Sequence, residues 1–325
     1  MQNPMSNSSR QDLFGLPVNP DVMFANHKNI YRERIEKRQR KMLNKISFIR
    51  PFLHESETIL CVTTGCSPVS LIEQFMTGWI VFHLKRSLFV FTNERIFHIP
   101  TKRDFSYRNS LAQILYADCQ SIAIKGRNLV TEYKNGKKEK FLYIPRSESK
   151  EIKTLLQEMP LEGQPSSMSS RTHLCPRCTN LLVTDQYTCP SCSLEFKNKK
   201  QTKRISIIYP GGGYFYTGHP FLGLGDALAE VYLTLLVIAA LAAAISGAAG
   251  GISALVFLSI ILTFEKALTV YHSNHFIKEY IPKDRCIEML TREPDTRKPA
   301  GVTPEPKPEE ILSASWNNQV KVKTP

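Results

Sequence analysis

Residues 1–27 contain no apolar stretch of the kind a secretory signal requires, and no such signal is expected. The chain also lacks His-Glu-x-x-His, Gly-x-Ser-x-Gly, a phosphate loop, and any pair of carboxylates placed on one element for acid–base work. Its eight histidines are dispersed, and only His272 and His275 are helically spaced, with no third ligand near them. On these absences the sequence reads as that of a protein that is not an enzyme. Acidic residues are scarce too: 29 Asp and Glu stand against 42 Lys and Arg, a formal net charge of +13. That excess calls for an acidic partner, either nucleic acid, anionic lipid or the cytoplasmic flank of membrane spans. Base-stacking aromatics are missing from the basic cluster Lys197–Arg204, which argues against nucleic acid.

What is present starts with four cysteines. Cys175 and Cys178 form one Cys-x-x-Cys knuckle, and Cys189 and Cys192 form a second ten residues later. At this separation the pairs can place four thiolates tetrahedrally around one ion at roughly 2.3 Å each, so structural Zn2+ is the expected cofactor. A redox Cys-x-x-Cys would not need two pairs, and the surrounding βαβ pattern is absent. Thiols kept reduced for zinc belong in the cytosol. Cys61, Cys66, Cys119 and Cys286 stand singly and read as inert thiols. With a proline in both knuckles and Phe196 after the second, residues 174–196 resemble short bacterial zinc ribbons. Glycine commonly follows each knuckle in that family; here Thr179 and Ser193 do, at some cost in backbone ease.

Upstream, residues 1–27 are rich in Asn, Ser and Pro and are expected to be disordered. Residues 28–50 read as a basic amphipathic helix. Lys37, Arg38, Arg40 and Lys41 are its candidate contacts to anionic lipid, and packing on the next domain is the competing reading. Residues 51–159 carry short β-branched or aromatic runs at Thr58–Thr64, Ser87–Thr92, Arg95–Pro100, Gln120–Lys125, Leu129–Lys134 and Lys138–Ile144. Asn135-Gly136 predicts a type I′ hairpin. Ile152, Leu155, Leu156 and Met159 mark a closing helix that Ser147 or Ser149 could cap.

The run Leu88-Phe-Val-Phe-Thr-Asn-Glu-Arg-Ile-Phe-His-Ile-Pro, followed by strands and a terminal helix, resembles bacterial pleckstrin-homology-like and GRAM-like domains. The resemblance implies a β-barrel or curved sheet with a C-terminal helix. Relatives often bind lipid headgroups or protein segments. Lys102, Arg103, Arg108 and Lys125 could meet phosphates, or form a solvated face. The apolar segment Ser67–Lys85 departs from the simplest members and reads as a helix against the bilayer or a buried core helix. Residues 160–173 are a linker by composition.

A membrane domain is expected over 205–280, with spans at about 228–248 and 252–271, each near the 20 apolar residues that cross a hydrocarbon core. Cations flank the outer ends, at 197–204 and at Lys278, Lys283 and Arg285, while the hairpin tip has none. Both termini are therefore expected in the cytoplasm, with the protein integral to the cytoplasmic (inner) membrane. The lead-in at Pro210, Gly211, Gly213, Tyr216 and Gly218 resembles the Pro-Gly-x-Gly-x-x-Tyr-x-Gly opening of small bacterial two-span domains. Glu230, Glu265 and Lys266 are ionisable residues at the span edges, and Glu230 with Lys266 is read as a structural clamp. Residues 291–325 are expected to be a disordered tail.

The fold class expected is thus a multidomain α+β membrane protein: a pleckstrin-like sheet, a zinc ribbon and a transmembrane helical hairpin. Its expected function is a cytoplasm-facing binding or scaffold protein recognising anionic lipid or a partner membrane protein. The alternative is an oligomeric channel or transporter subunit, and a homo-oligomer is open in either case. The sequence names neither ligand nor pathway.

Overall fold

The computed structural model describes residues 10–78, 80–161 and 170–283. In chain order these form β1 (Gln11–Leu13), β2 (Leu16–Val18), α1 (Pro20–Met23), α2 (Glu33–Lys45), β3 (Ile59–Cys66), α3 (Leu71–Thr77), α4 (Ile80–Leu84), β4 (Arg86–Thr92), β5 (Arg95–Pro100), β6 (Leu111–Leu115), β7 (Cys119–Lys125), β8 (Asn128–Tyr133), β9 (Lys138–Phe141) and α5 (Arg146–Glu158). β10 (Thr172–Leu174), β11 (Leu181–Leu182), α6 (Lys199–Ile208), α7 (Gly212–Thr217), α8 (Pro220–Ile245) and α9 (Gly251–Ile277) follow.

Two sheets result. The larger runs β1-β2-β3-β4-β5-β6-β10-β11, antiparallel except where Val18 of β2 pairs in parallel with Ile59 of β3. The smaller runs β7-β8-β9. The unbroken apolar run of β4 is explained by burial on both faces. Phe89 and Phe91 point into a core shared with the small sheet and with Ile152, Leu155 and Leu156 of α5. Leu88 and Val90 point the other way, into a second core closed by Leu43 of α2 and by Ile46 and Ile49 after it.

This second core corrects two expectations. Residues 10–27 are ordered, because Leu16, Val18, Met23 and Phe24 bury against the outer face of the sheet and Asn19 caps α1; residues 1–9 lie outside the described residues. The basic helix spans Glu33–Lys45, with a 3-10 turn over Ser47–Phe52, and packs inward. Its Gln39 side chain donates to Val62 O at 3.0 Å and accepts from Val62 N at 3.1 Å, so it extends the ladder of β3 sideways. The domain partition changes as well. The sheet draws strands from before residue 51 and after residue 171, so 51–159 is not self-contained and the expected linker ends in β10.

Elsewhere the expected strands stand within a few residues, and β6 is additional. The β8–β9 hairpin forms, but with only Gly136 at positive φ (81°), and Gly136 N donates to Tyr133 O. That is a three-residue loop with a left-handed glycine rather than a type I′ turn. Helix α5 starts at Arg146 after Pro145, with no side-chain cap; Ser149 Oγ instead donates back to Pro145 O. The Thr-Asn-Glu-Arg sequence is a tight turn. Thr92 Oγ1 accepts from Arg95 N at 3.1 Å, and the Arg95 guanidinium grips the buried Glu57 carboxylate at 2.6 and 3.0 Å. Removing one partner of such a buried pair costs about 3–5 kcal/mol.

Helices α8 and α9 are long and apolar enough to cross a membrane. Helix α8 starts earlier than the expected span, continuing back through Asp226 to a proline at its first turn, and ends slightly sooner; α9 runs on past the expected end to Ile277, with Ser246–Gly250 as the turn between them. The outer sides of both helices expose large apolar residues such as Leu228, Leu235, Ile252, Phe257 and Phe264. Residues 284–325, including Arg285, Cys286 and the expected tail, lie outside the described residues.

Candidate metal centre and a cleft beside the helical pair

The cysteine knuckles sit at the tips of the β10–β11 hairpin and the loop after it. Thr179 N donates to Cys175 O at 2.9 Å and Ser193 N to Cys189 O at 3.0 Å, closing two matched turns. Thr179 and Ser193 hold φ of 62° and 57°, the left-handed conformation for which glycine is usual. The four sulfurs all lie within 4.8 Å of one another, and the pairs Cys175–Cys192 and Cys178–Cys189 are both 3.5 Å apart. Ligands at roughly 2.3 Å in a tetrahedron would stand about 3.8 Å apart, so the donor set fits a single tetrahedral ion. Burial pushes the Cys175 thiol up. At Cys189 the effect of burial is outweighed by N–H donors of Cys192 and Ser191 and by the neighbouring thiols, and its thiol falls to about 7. Leu182, Leu194, Phe196 and Tyr280 pack beneath the knuckles. Tyr280 Oη accepts from Asp185 N at 2.8 Å and donates to Val183 O at 3.1 Å, fixing the ribbon to the end of α9.

Where α8 and α9 meet α6 and α7 there is a polar layer. Lys266 Nζ donates to Glu230 Oε2 at 2.5 Å and to Ser206 O at 3.0 Å, so the clamp pair is brought together. Glu265 joins them through Thr269, whose hydroxyl lies 3.1 Å from Glu265 and 3.0 Å from Asp226. The carboxylates of Asp226, Glu230 and Glu265 thus converge between the helices, with the Lys266 ammonium among them. The glycine motif makes this approach possible. A Cβ on Gly211 would stand 2.0 Å from Gly223 O, and one on Gly213 would stand 2.1 Å from Ser206 Oγ.

A third feature joins residues that lie far apart in the sequence. Helix α3 opens with a capping box in which Ser70 and Glu73 exchange hydrogen bonds. The same Glu73 carboxylate pairs with Lys85 at 2.8 Å and with His275 of α9 at 3.3 Å, all three side chains buried or nearly so. The segment Ser67–Lys85 is therefore two short helices tied to the foot of α9, with Leu71 and Phe75 left 86% and 91% exposed. Beside it, Ile80, Leu84, Phe221 and Leu222 line a cleft of about 520 Å3 together with Lys102, Arg103 and Arg108. Arg108 donates to Leu84 O at 3.4 Å and to His219 Nε2 at 3.1 Å. Burial and then Arg108 hold the His219 imidazole well below its ordinary range, consistent with its accepting from the guanidinium.

The other candidate cations are distributed differently. Arg38 is committed to Glu148 at 3.2 Å and Glu151 at 3.8 Å, and Arg40 to Glu36 at 2.6 Å while lying over the Phe24 ring. Both cations thus make ties within the chain. Lys37 and Lys41 are exposed. A second carboxylate group, Glu57 and Glu94 with His54, could hold a metal by proximity, but Glu57 is already bound to Arg95.

No protein-family model matches the chain. No curated protein matches it. Among solved structures it is similar to the hSac2 domain from human phosphoinositide phosphatase Sac2, at 16% identity over 39% of this chain and 79% of that one, with a TM-score of 0.22. The expectation of a protein that is not an enzyme is corrected on this finding, because the neighbour comes from a phosphatase. At that TM-score the likeness assigns no activity to the chain.

Proposed function

We propose that this chain is an integral protein of a bacterial cytoplasmic membrane that binds anionic lipid of the inner leaflet beside its own anchor. In this reading α8 and α9 cross as a hairpin. The cation-free turn lies outside, and both ends, the pleckstrin-like sheet and a structural Zn2+ on Cys175, Cys178, Cys189 and Cys192 lie in the cytoplasm. The observation that carries it is the cleft at the start of α8, where Lys102, Arg103 and Arg108 share a lining with Phe221 and Leu222. Cations placed where a helix enters the leaflet attract acidic headgroups by about 1 kcal/mol each. Aliphatic and aromatic lining beside them suits the first part of an acyl chain. Exposed Leu71, Phe75 and Phe221 support the same placement, since large apolar side chains at that level are suited to the interface.

The channel reading would require Glu230 and Glu265 on an outward face, whereas both carboxylates converge with Asp226 inside the helix pair. The lipid reading is tested by native mass spectrometry of the full chain released from nanodiscs of phosphatidylcholine with phosphatidylglycerol. Preferential retention of phosphatidylglycerol, reduced in Lys102→Glu/Arg103→Glu, is expected. Equal retention of the two lipids, or no effect of the double reversal, would refute it.

A further inference from the structure

A separate cleft of about 430 Å3 opens between the small sheet, the ribbon and the end of α9, within the size range of small-molecule sites. Four cations line it: Lys137 of the β8–β9 loop, Arg171 before β10, Lys199 of α6 and Lys278 after α9. Only two carboxylates do, Glu139 and Asp185. Asp185 is taken by Lys199 at 2.6 Å. Glu139 is shared between Arg171 at 3.5 Å and Lys137 at 3.7 Å. Lys278 is exposed and makes no ion pair among the described residues. Four cations against two carboxylates leave an excess of two positive charges inside one concave site.

We propose that this cleft binds a water-soluble phosphate ester of about nucleotide size, its phosphate held by Lys137, Arg171 and Lys278. The charge excess matches a phosphate dianion. Arg171, whose Nη1 bonds His98 and whose Nε faces Glu139, offers its remaining Nη2 donors, and the two lysines offer mobile point charges. Tyr187 and Tyr280, stacked with ring centroids 5.9 Å apart, give the cleft a flat aromatic side on which the organic part of the ester can lie. A lipid is the poorer match, because charged and polar side chains dominate this lining, whereas Ile80, Leu84, Phe221 and Leu222 line the cleft at the start of α8. Since its walls come from the sheet, the ribbon and α9, an occupant would cross-link all three.

The test is isothermal titration of the full chain in detergent with pyrophosphate and with ADP. Saturable binding of at least one probe is expected, weakened at least tenfold in Lys137→Glu/Lys278→Glu and by a smaller factor in Lys278→Gln. Both positions are exposed, so the fold is retained. Binding should be unchanged in Lys102→Glu/Arg103→Glu, which separates this site from the lipid cleft. Failure of both probes to bind, or full binding in the charge-reversed variant, would overturn the proposal. So would an anion response seen only with phosphatidate vesicles.

Discussion

Gly211→Ala should loosen the helical foot of the protein far more than Gly225→Ala, although the two positions lie close together in the sequence. Gly211 precedes α7 with φ of 63°, and a Cβ there would stand 2.0 Å from Gly223 O. The left-handed backbone alone costs an alanine about 1–2 kcal/mol. The clash is with backbone, so no rotamer relieves it, and α7 must move off α8 by about 1 Å to reach an acceptable contact; overpacking of this kind costs about 1–3 kcal/mol more. The combined loss is therefore about 2–5 kcal/mol. At Gly225 an added Cβ meets nothing within 4 Å and φ is not positive, so alanine should be neutral or slightly stabilising, by up to about 1 kcal/mol. Thermal unfolding of both variants in the same detergent reads the difference directly. Gly211→Ala should melt several degrees lower. Equal melting temperatures for Gly211→Ala and the parent chain, or equal losses in both variants, would refute the packing argument.

Purified protein should carry about one zinc per chain by mass spectrometry of metals, and Cys189→Ser should abolish it. Because β10 leads straight into the first knuckle, chelation should also open Leu174–Phe196 to proteolysis; full metal content in the variant would exclude the site. A second expectation concerns pH. His98 is fully buried, accepts from Arg171 at 3.0 Å on Nδ1, and faces Ser67 and Ser87 through Nε2. Burial, then the charge of Arg171, holds it well below its ordinary range. Its folded-state value is depressed, so at acid pH the unfolded chain takes up a proton that the folded one refuses. Stability is complete above about pH 6.5 and falls below it by up to about 1.4 kcal/mol per pH unit. Melting temperature followed from about pH 7.5 to 5.5 should decline less steeply in His98→Gln than in the parent, and parallel slopes would contradict this.

Features carried by neighbouring residues were legible in the sequence, and features carried by distant ones were not. The knuckles could be read because all four ligands fall within eighteen residues and their spacing is itself the geometry. Strands β3, β4 and β5 could be read because β-branched and aromatic residues dominate them. β6, Leu-Ala-Gln-Ile-Leu, has neither strict alternation nor a clear turn signal, and its strand is set by its partners β5 and β10. β1, β2 and β10 are three residues each and exist only because partners elsewhere in the chain accept them. The helix at Glu33–Lys45 had the right period, but period alone does not distinguish a lipid surface from the back of a sheet; Gln39 decides it by bonding Val62. The same limit applies to the clefts. Arg108 and His219 touch across 111 positions, and no local pattern announces such a meeting.

The pairing of β10 with β6 has a mechanical consequence. Thr172, His173 and Leu174 are laced to Gln113, Ala112 and Leu111, and a few residues away the Ser110 hydroxyl donates to Glu279 O just past α9. Sheet, ribbon and helix foot are thus joined at one corner. A change in tilt of the helical pair would swing the sheet as an oar turns in its rowlock, and in the membrane setting proposed above that tilt would follow the thickness of the bilayer.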